Sequence, residues 1–243
     1  MTAAMPVDLR LARLVRMSAV PGLVHGFGRR RPGAKGETRD DTRRRAEEAL
    51  ADAGSLFLMN QVHGLNVEQA PWSGRPEADV GVADRPGLLL GIETADCLPV
   101  LLVDPRRRRV AAAHAGWRGT AAGVARAAVD ALAAAGSSPD DLLAGLGPCI
   151  GPCCYEVGDE VRAAFGPLAE AVFRPGPAGR SHLDLRLANE LQLREAGLRP
   201  ARVLAVDECT RCRADLYHSY RRDGAGAGRM ISFVGFRGGS DRL

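Results

Sequence analysis

LLLGIETADCLPVLLVDPRRRRVAAAH, residues 88–114, holds three apolar runs of strand length, 88–94, 98–103 and 110–114. Gly, Pro and Asp bound them, as strand ends require. Asp104-Pro105 followed by Arg106-Arg107-Arg108-Arg109 reads as an exposed hairpin turn. If that hairpin closes, 110–114 returns beside 98–103 and brings His114 back to the end where Cys97 begins. Ala95-Asp96-Cys97 breaks the first two runs at a point where a side chain can leave a sheet and face a cleft. His63, in Asn60-Gln61-Val62-His63-Gly64, follows another apolar run, 56–61, and need only end at the same rim.

Two imidazoles and a thiolate are good zinc ligands, and three protein ligands leave one coordination position open. Structural zinc sites are closed with four ligands, so an open position indicates chemistry. His63, Cys97 and His114 are therefore the expected metal ligands, and the chain is expected to be a metal-dependent enzyme.

Outward from this segment, further strand-like runs lie at 20–27, 142–146, 203–206 and 230–236. Helix patterns lie at 41–53, 120–135, 158–165 and 185–196. Thr120 is a plausible cap for the second helix and Gly136 its stop. Ser138-Pro139-Asp140-Asp141 resembles another helix start. Two loops, 29–37 and 174–180, are rich in Gly and Pro. There is no internal repeat and no separating linker, so residues 1–243 are expected to form one mixed α/β body.

The net charge is only +4, with 46% hydrophobic residues. All but one of the 33 basic residues are arginine, which suits an arginine-biased composition better than a nucleic-acid patch, so no nucleic-acid partner is expected. No run approaches the roughly 18–20 apolar residues of a membrane span, so no membrane partner is expected. Residues 1–16 lack the apolar centre of a secretion signal, and a cytoplasmic protein is expected. The six cysteines should then be reduced. Cys153 and Cys154 are adjacent and Cys209-x-x-Cys212 is the one true Cys-x-x-Cys. Cys149-x-x-x-Cys153 is looser, and this spacing argues against a second, structural metal.

Five segments in order identify the chain as similar to a known family: Asn60-Gln61-Val62-His63-Gly64; Thr94-Ala95-Asp96-Cys97-Leu98-Pro99-Val100; His114-Ala115-Gly116-Trp117-Arg118-Gly119; Gly147-Pro148-Cys149-Ile150-Gly151; and Ser219-Tyr220-Arg221-Arg222-Asp223-Gly224. They resemble the YfiH, or laccase-domain, family, also called the polyphenol oxidase or peptidoglycan editing factor family, from about His25 to Phe236. Cys209-Thr210-Arg211-Cys212 and Gly228-Arg229-Met230 fit the same pattern. One departure is early: where the family often has Phe-Ser-Thr-Arg and Gly-Gly, this chain has Phe27-Gly28-Arg29-Arg30-Arg31-Pro32-Gly33. The Ser-Thr pair is lost.

The resemblance implies an α+β fold, an α-β-β-α sandwich with mixed sheets, and a metal on His63, Cys97 and His114, zinc in most members and copper in some. It implies phosphorolysis of adenosine, inosine, guanosine and methylthioadenosine, with adenosine deamination, so the expected partners are purine nucleoside and phosphate. The alternatives it carries are a zinc amidase that edits a misincorporated amino acid from a peptidoglycan precursor, a copper-dependent polyphenol oxidase, and a non-catalytic redox or metal-binding module. A conventional multicopper oxidase needs imidazoles for several copper centres, and five histidines are too few.

Arg118 follows His114 closely enough to reach phosphate at the same rim. Arg221, Arg222 and Arg229 are further anion ligands or ordinary surface arginines. Asp96 either orients a ligand or acts as a base, or else caps the turn before the next strand. Trp117 either stacks on purine or packs under its loop, and Cys149 is either a pocket residue or a small buried apolar group. Asn60 and Gln61 complete the expected substrate contacts. His25, His182 and His218 read as structural.

Overall fold

The computed structural model describes residues 11–31, 33, 38–176 and 180–239; the expected loops 29–37 and 174–180 and the segment 1–16 lie partly outside them. The protein is a mixed α+β fold built on two mixed sheets. One sheet has five strands, in the order Leu11–Ala12, Leu23–Gly28, Met230–Phe236, Leu88–Thr94, Ser55–Leu58. The other has six: Val203–Ala205, Leu143–Leu146, Leu98–Asp104, Arg109–Ala115, Val80–Ala83, Val67–Gln69. A small three-stranded sheet joins Glu156–Val157, Ser181–Leu183 and Phe173–Pro175.

The hairpin forms as the sequence indicates, with Leu98 opposite Ala115, Pro99 opposite His114 and Asp104 opposite Arg109. Its alternate residues serve two layers. Leu98, Val100 and Leu102, with Ala111, Ala113 and Ala115, pack under the helices Val124–Ala134 and Leu185–Glu195. Leu101, Val103, Val110 and Ala112 face the other sheet, against Leu90, Ile92, Val234 and Phe236. Strands buried on both faces carry unbroken apolar runs, which is why these segments do not alternate with polar residues. On the far side of the five-stranded sheet, Ala46 and Leu50 of the helix Arg39–Leu50 cover Leu58, Leu89, Ile231 and Phe233. Helix, sheet, sheet and helix thus stack in four layers.

Several boundaries differ from the expectation. The single helix expected at 120–135 is two, Trp117–Ala122 and Val124–Ala134. Gly123, at φ 95°, ends the first by a left-handed turn that favours glycine. Thr120 is not a cap: it is buried, and its oxygens accept from Asn189 Nδ2 at 2.9 Å and Gln192 Nε2 at 2.6 Å. The helix expected at 41–53 spans Arg39–Leu50, and Thr38 and Asp41 form a reciprocal capping box at its start. The expected helix after Ser138 is one 3₁₀ turn, Pro139–Asp141. Among the described residues no helix is long and apolar enough to cross a membrane.

The arginine turn is fastened from inside. Asp104 is fully buried and accepts the N–H groups of Arg106 and Arg107, both at 3.0 Å. Burial pushes its carboxyl up, but the Ser137 side chain, and then the Arg107 N–H and guanidinium and the Arg106 N–H, outweigh burial and hold it below the ordinary aspartate value. A carboxylate with a depressed folded pKa stabilises above its unfolded pKa, about 3.9, and that contribution is lost as pH falls through the folded value. Asp104→Ala is expected to lower unfolding free energy by about 1–3 kcal/mol at neutral pH. Urea titrations should show this gap narrowing as pH drops below about 3.9.

Candidate metal centre and active-site cavity

His63 and Cys97, from two loops, and His114, from the end of the Arg109–Ala115 strand, converge at one end of the sandwich. Their ligand atoms all lie within 4.8 Å of one another. His63 Nε2 is 4.0 Å from Cys97 Sγ, and the two imidazoles meet edge to face with centroids 4.7 Å apart. The backbone at Gly116 passes so close that a Cβ there would sit 2.7 Å from His63 Cδ2 and 3.2 Å from Cys97 Sγ. Glycine is required at that point for the three donors to gather.

One carboxylate arranges this group. Asp79 is fully buried at the start of the Val80–Ala83 strand. It accepts the backbone N–H groups of Val62 at 3.1 Å, His63 at 3.0 Å and Gly64 at 2.7 Å, and lies 2.8 Å from His114 Nδ1. Burial raises its pKa, but His114 and the Gly64 and His63 N–H groups overcome this and lower it. An ionised carboxylate has no proton to give, so Nδ1 of His114 carries the hydrogen and Nε2 faces the sulfur. The same carboxylate holds His63 at φ 64°, a left-handed conformation that is strained for any residue but glycine.

The donor set suits a soft or borderline divalent cation. Burial pushes the Cys97 thiol up, but His114 and His63 bring it down to about 6. Burial pushes the His114 imidazole down, but Cys97 and Asp79 raise it to about 9. The pair is a thiolate facing an imidazolium over the intervening pH range. A metal ion would take the place of the proton between them and release it.

A second carboxylate fixes the Cys97 loop. Asp96, at φ 89°, accepts from Thr210 Oγ1 at 2.5 Å, Ser219 Oγ at 3.0 Å and the Arg221 N–H at 2.7 Å. Its lone pairs are committed to three donors, so it acts as a clamp joining distant loops.

The triad opens on a cavity of about 380 Å³. Of the expected site residues, Asn60, Gln61, Asp96, Trp117, Arg221 and Arg229 line it with the triad. The Gln61 amide is used in holding Glu93, with bonds of 2.8 Å to its carbonyl and N–H. Three expected residues stand elsewhere. Arg118 is exposed, its guanidinium 4.3 Å above the Trp117 ring. Cys149 is buried in the core under the six-stranded sheet and borders a separate smaller cavity. Arg222 donates to the carbonyls of Thr210, Arg211 and Tyr217.

The cavity also contains residues that the sequence did not single out: Arg39, Arg43, Arg75, Glu93, Tyr155 and Tyr220. Buried Glu93 takes Arg43 in a two-pronged contact at 2.9 and 2.8 Å and also pairs with Arg75. Arg229 differs: burial first, and then the charge of Arg39, depress its pKa. Arg39 and Arg229 both line the cavity, so its wall carries positive charge that attracts anions.

An α+β sandwich with a potential metal triad at the mouth of a cationic, aromatic-lined cavity defines the class. The chain belongs to the YfiH family, described as multi-copper polyphenol oxidoreductase laccase, whose model it matches over residues 31–237. It is 36% identical over 222 residues to purine nucleoside phosphorylase YlmD of Geobacillus stearothermophilus, covering 83% of this chain and 81% of that one. It is 40% identical over 160 residues to adenosine deaminase RL5 of an unknown prokaryote, covering 64% and 61%. The crystal structure of Bacillus licheniformis YfiH superposes with a TM-score of 0.81 at 29% identity, covering 88% of this chain and 93% of that one. Its relatives' names point to an enzyme of purine nucleosides.

Asp79→Asn is expected to weaken metal affinity about 10–100-fold, measured by competition with a chromophoric chelator. Gly116→Ala should also weaken retention while thermal melting stays cooperative. Wild-type affinity in both variants would remove Asp79 and Gly116 from the account of the site.

Proposed function

We propose that the chain is a zinc-dependent purine nucleoside phosphorylase acting on adenosine, inosine, guanosine and methylthioadenosine, with adenosine deaminase activity. The observation that carries this reading is that the His63-Cys97-His114 triad and the arginines Arg39 and Arg229 line one cavity. A nucleoside needs an apolar, aromatic pocket, while phosphate needs uncompensated positive charge.

When bound on His63, Cys97 and His114, zinc supplies a Lewis acid and acidifies water. The other roles belong to the chain. Arg39 and Arg229 bind and orient phosphate, with the exposed Arg118 outside that role. Trp117, Tyr155 and Tyr220 offer ring faces for the purine, and Asn60 offers an amide to its polar edge. Arg221, over Tyr155 at 5.2 Å and donating to the Glu156 carbonyl at 2.8 Å, closes the same side. Asp96 and Asp79 position the loops. In phosphorolysis a phosphate oxygen bonds to the sugar's anomeric carbon as the bond to the purine nitrogen breaks. The purine leaves with a proton and the sugar keeps the phosphate. The guanidiniums act where negative charge is being transferred.

Inosine with phosphate should give hypoxanthine and ribose 1-phosphate, and inosine alone should give neither. Adenosine should give inosine without phosphate. Cys97→Ala is expected to remove most of both activities. Arg229→Gln should raise the Michaelis constant for phosphate about 10-fold or more, the loss of a hydrogen bond to a charged group, and leave that for inosine nearly unchanged. Nucleosides left intact by a metal-loaded protein that cleaves a peptidoglycan-precursor amide would overturn the phosphorylase reading in favour of the amidase.

A further inference from the structure

A second group of sulfurs lies outside the cavity. Cys153 and Cys154 sit in the turn after Ile150, and Cys209 and Cys212 in the turn after Glu208. All four sulfurs lie within 4.8 Å of one another. Cys212 Sγ is 3.7 Å from Cys153 Sγ and 3.4 Å from Cys154 Sγ. A disulfide would bring a pair to about 2.05 Å, so these are not bonded pairs. Four sulfurs bound at about 2.3 Å around tetrahedral zinc stand about 3.8 Å apart, close to the spacing observed.

The surroundings suit bound thiolates. The Gly151 N–H points at Cys209 Sγ from 3.2 Å, and Arg211 lies in the same turn as Cys209 and Cys212. Each turn is also held by its own backbone: Cys154 and Tyr155 N–H groups donate to the Gly151 carbonyl at 2.9 and 3.0 Å, and the Arg213 N–H donates to the Cys209 carbonyl at 3.0 Å. Between the two turns the backbone supplies the Thr210 N–H to Cys149 carbonyl bond, at 3.0 Å. Spacing along the chain is a poor guide here because two of the donors are sequence neighbours and the other two come from a turn far along the chain.

We propose that Cys153, Cys154, Cys209 and Cys212 form a closed tetrathiolate site for a structural zinc ion, separate from the His63-Cys97-His114 centre. Four cysteine ligands leave no open position, so the ion holds structure and performs no chemistry. Thr210 lies inside the Cys209–Cys212 turn and gives its hydroxyl to Asp96. The ion thereby fastens the turn that clamps the Cys97 loop.

The test is metal content of the full chain purified with reductant and equilibrated with zinc, read by mass spectrometry of the elements. Wild type is expected to hold two zinc ions per chain, Cys97→Ala one, and Cys212→Ser one. The Cys97→Ala protein reloaded with cobalt should show intense sulfur-to-cobalt charge-transfer absorption, lost when Cys153→Ser is added. Cys97→Ala leaves the four-cysteine turns untouched, so its metal content answers even if a cysteine variant of those turns misfolds. A Cys97→Ala protein with no zinc, or one with disulfides among these cysteines under reductant, would overturn the proposal. Neither result bears on nucleoside turnover by wild type, and loss of turnover would leave this metal count intact.

Discussion

The buried Asp79 carboxylate is the constraint on which the candidate centre depends. It takes three consecutive N–H groups from 62–64 and the Nδ1–H of His114, and its own carbonyl receives the His114 N–H at 2.8 Å. Burying a carboxylate costs several kcal/mol unless donors surround it. Here the donors are the backbone of one ligand loop and the ring of another ligand. The same interactions that satisfy the charge select the His114 tautomer and hold His63 in its left-handed turn. Asp96 does the equivalent for Cys97, drawing in Thr210, Ser219 and Arg221 from late in the chain. Two buried aspartates place three ligands drawn from two loops and one strand end.

The sheets explain why the ligands reach one rim. The Leu98–Asp104 and Arg109–Ala115 strands are packed on both faces, so a one-residue slip of register would exchange the residues facing the helices with those facing the other sheet. That register puts Pro99 opposite His114, next to the Cys97 loop. Asp104 closes the opposite end. The core thus sets the distance between Cys97 and His114, and the loops refine it.

Much of this was legible in the sequence, for physical reasons that also mark where legibility ends. A hairpin between two apolar runs joined by Asp-Pro and four arginines is a local event, so His114 and Cys97 could be paired before any coordinates. The family resemblance and that local reading converged on the same three ligands. Asp79 could not be read, because a lone Asp before a strand looks like any turn residue until its donors, 15–35 positions away, fold over it. Arg39 and Arg43 were hidden in an arginine-rich helix whose sequence does not say which turn meets the cavity. The helix break at Gly123 was missed because alanines on both sides continue the helical pattern. The position of Arg118 could not be read either: a helix begins at Trp117, and its next residue lies over the indole, 4.3 Å from the ring.

The distribution of charge argues for the order in which the site is built. Asp79 and Asp96 are satisfied by backbone and hydroxyl donors, and Glu93 neutralises Arg43 and Arg75. These carboxylates are spent on structure. What remains toward the cavity is positive: Arg39 and Arg229 line it, while Cys97 and His114 share a proton that a cation can displace. A divalent ion would take the place of that proton, and an oxyanion would find its counter-charge on the arginines. The positive charge left at the cavity thus follows from where the acidic groups are already engaged.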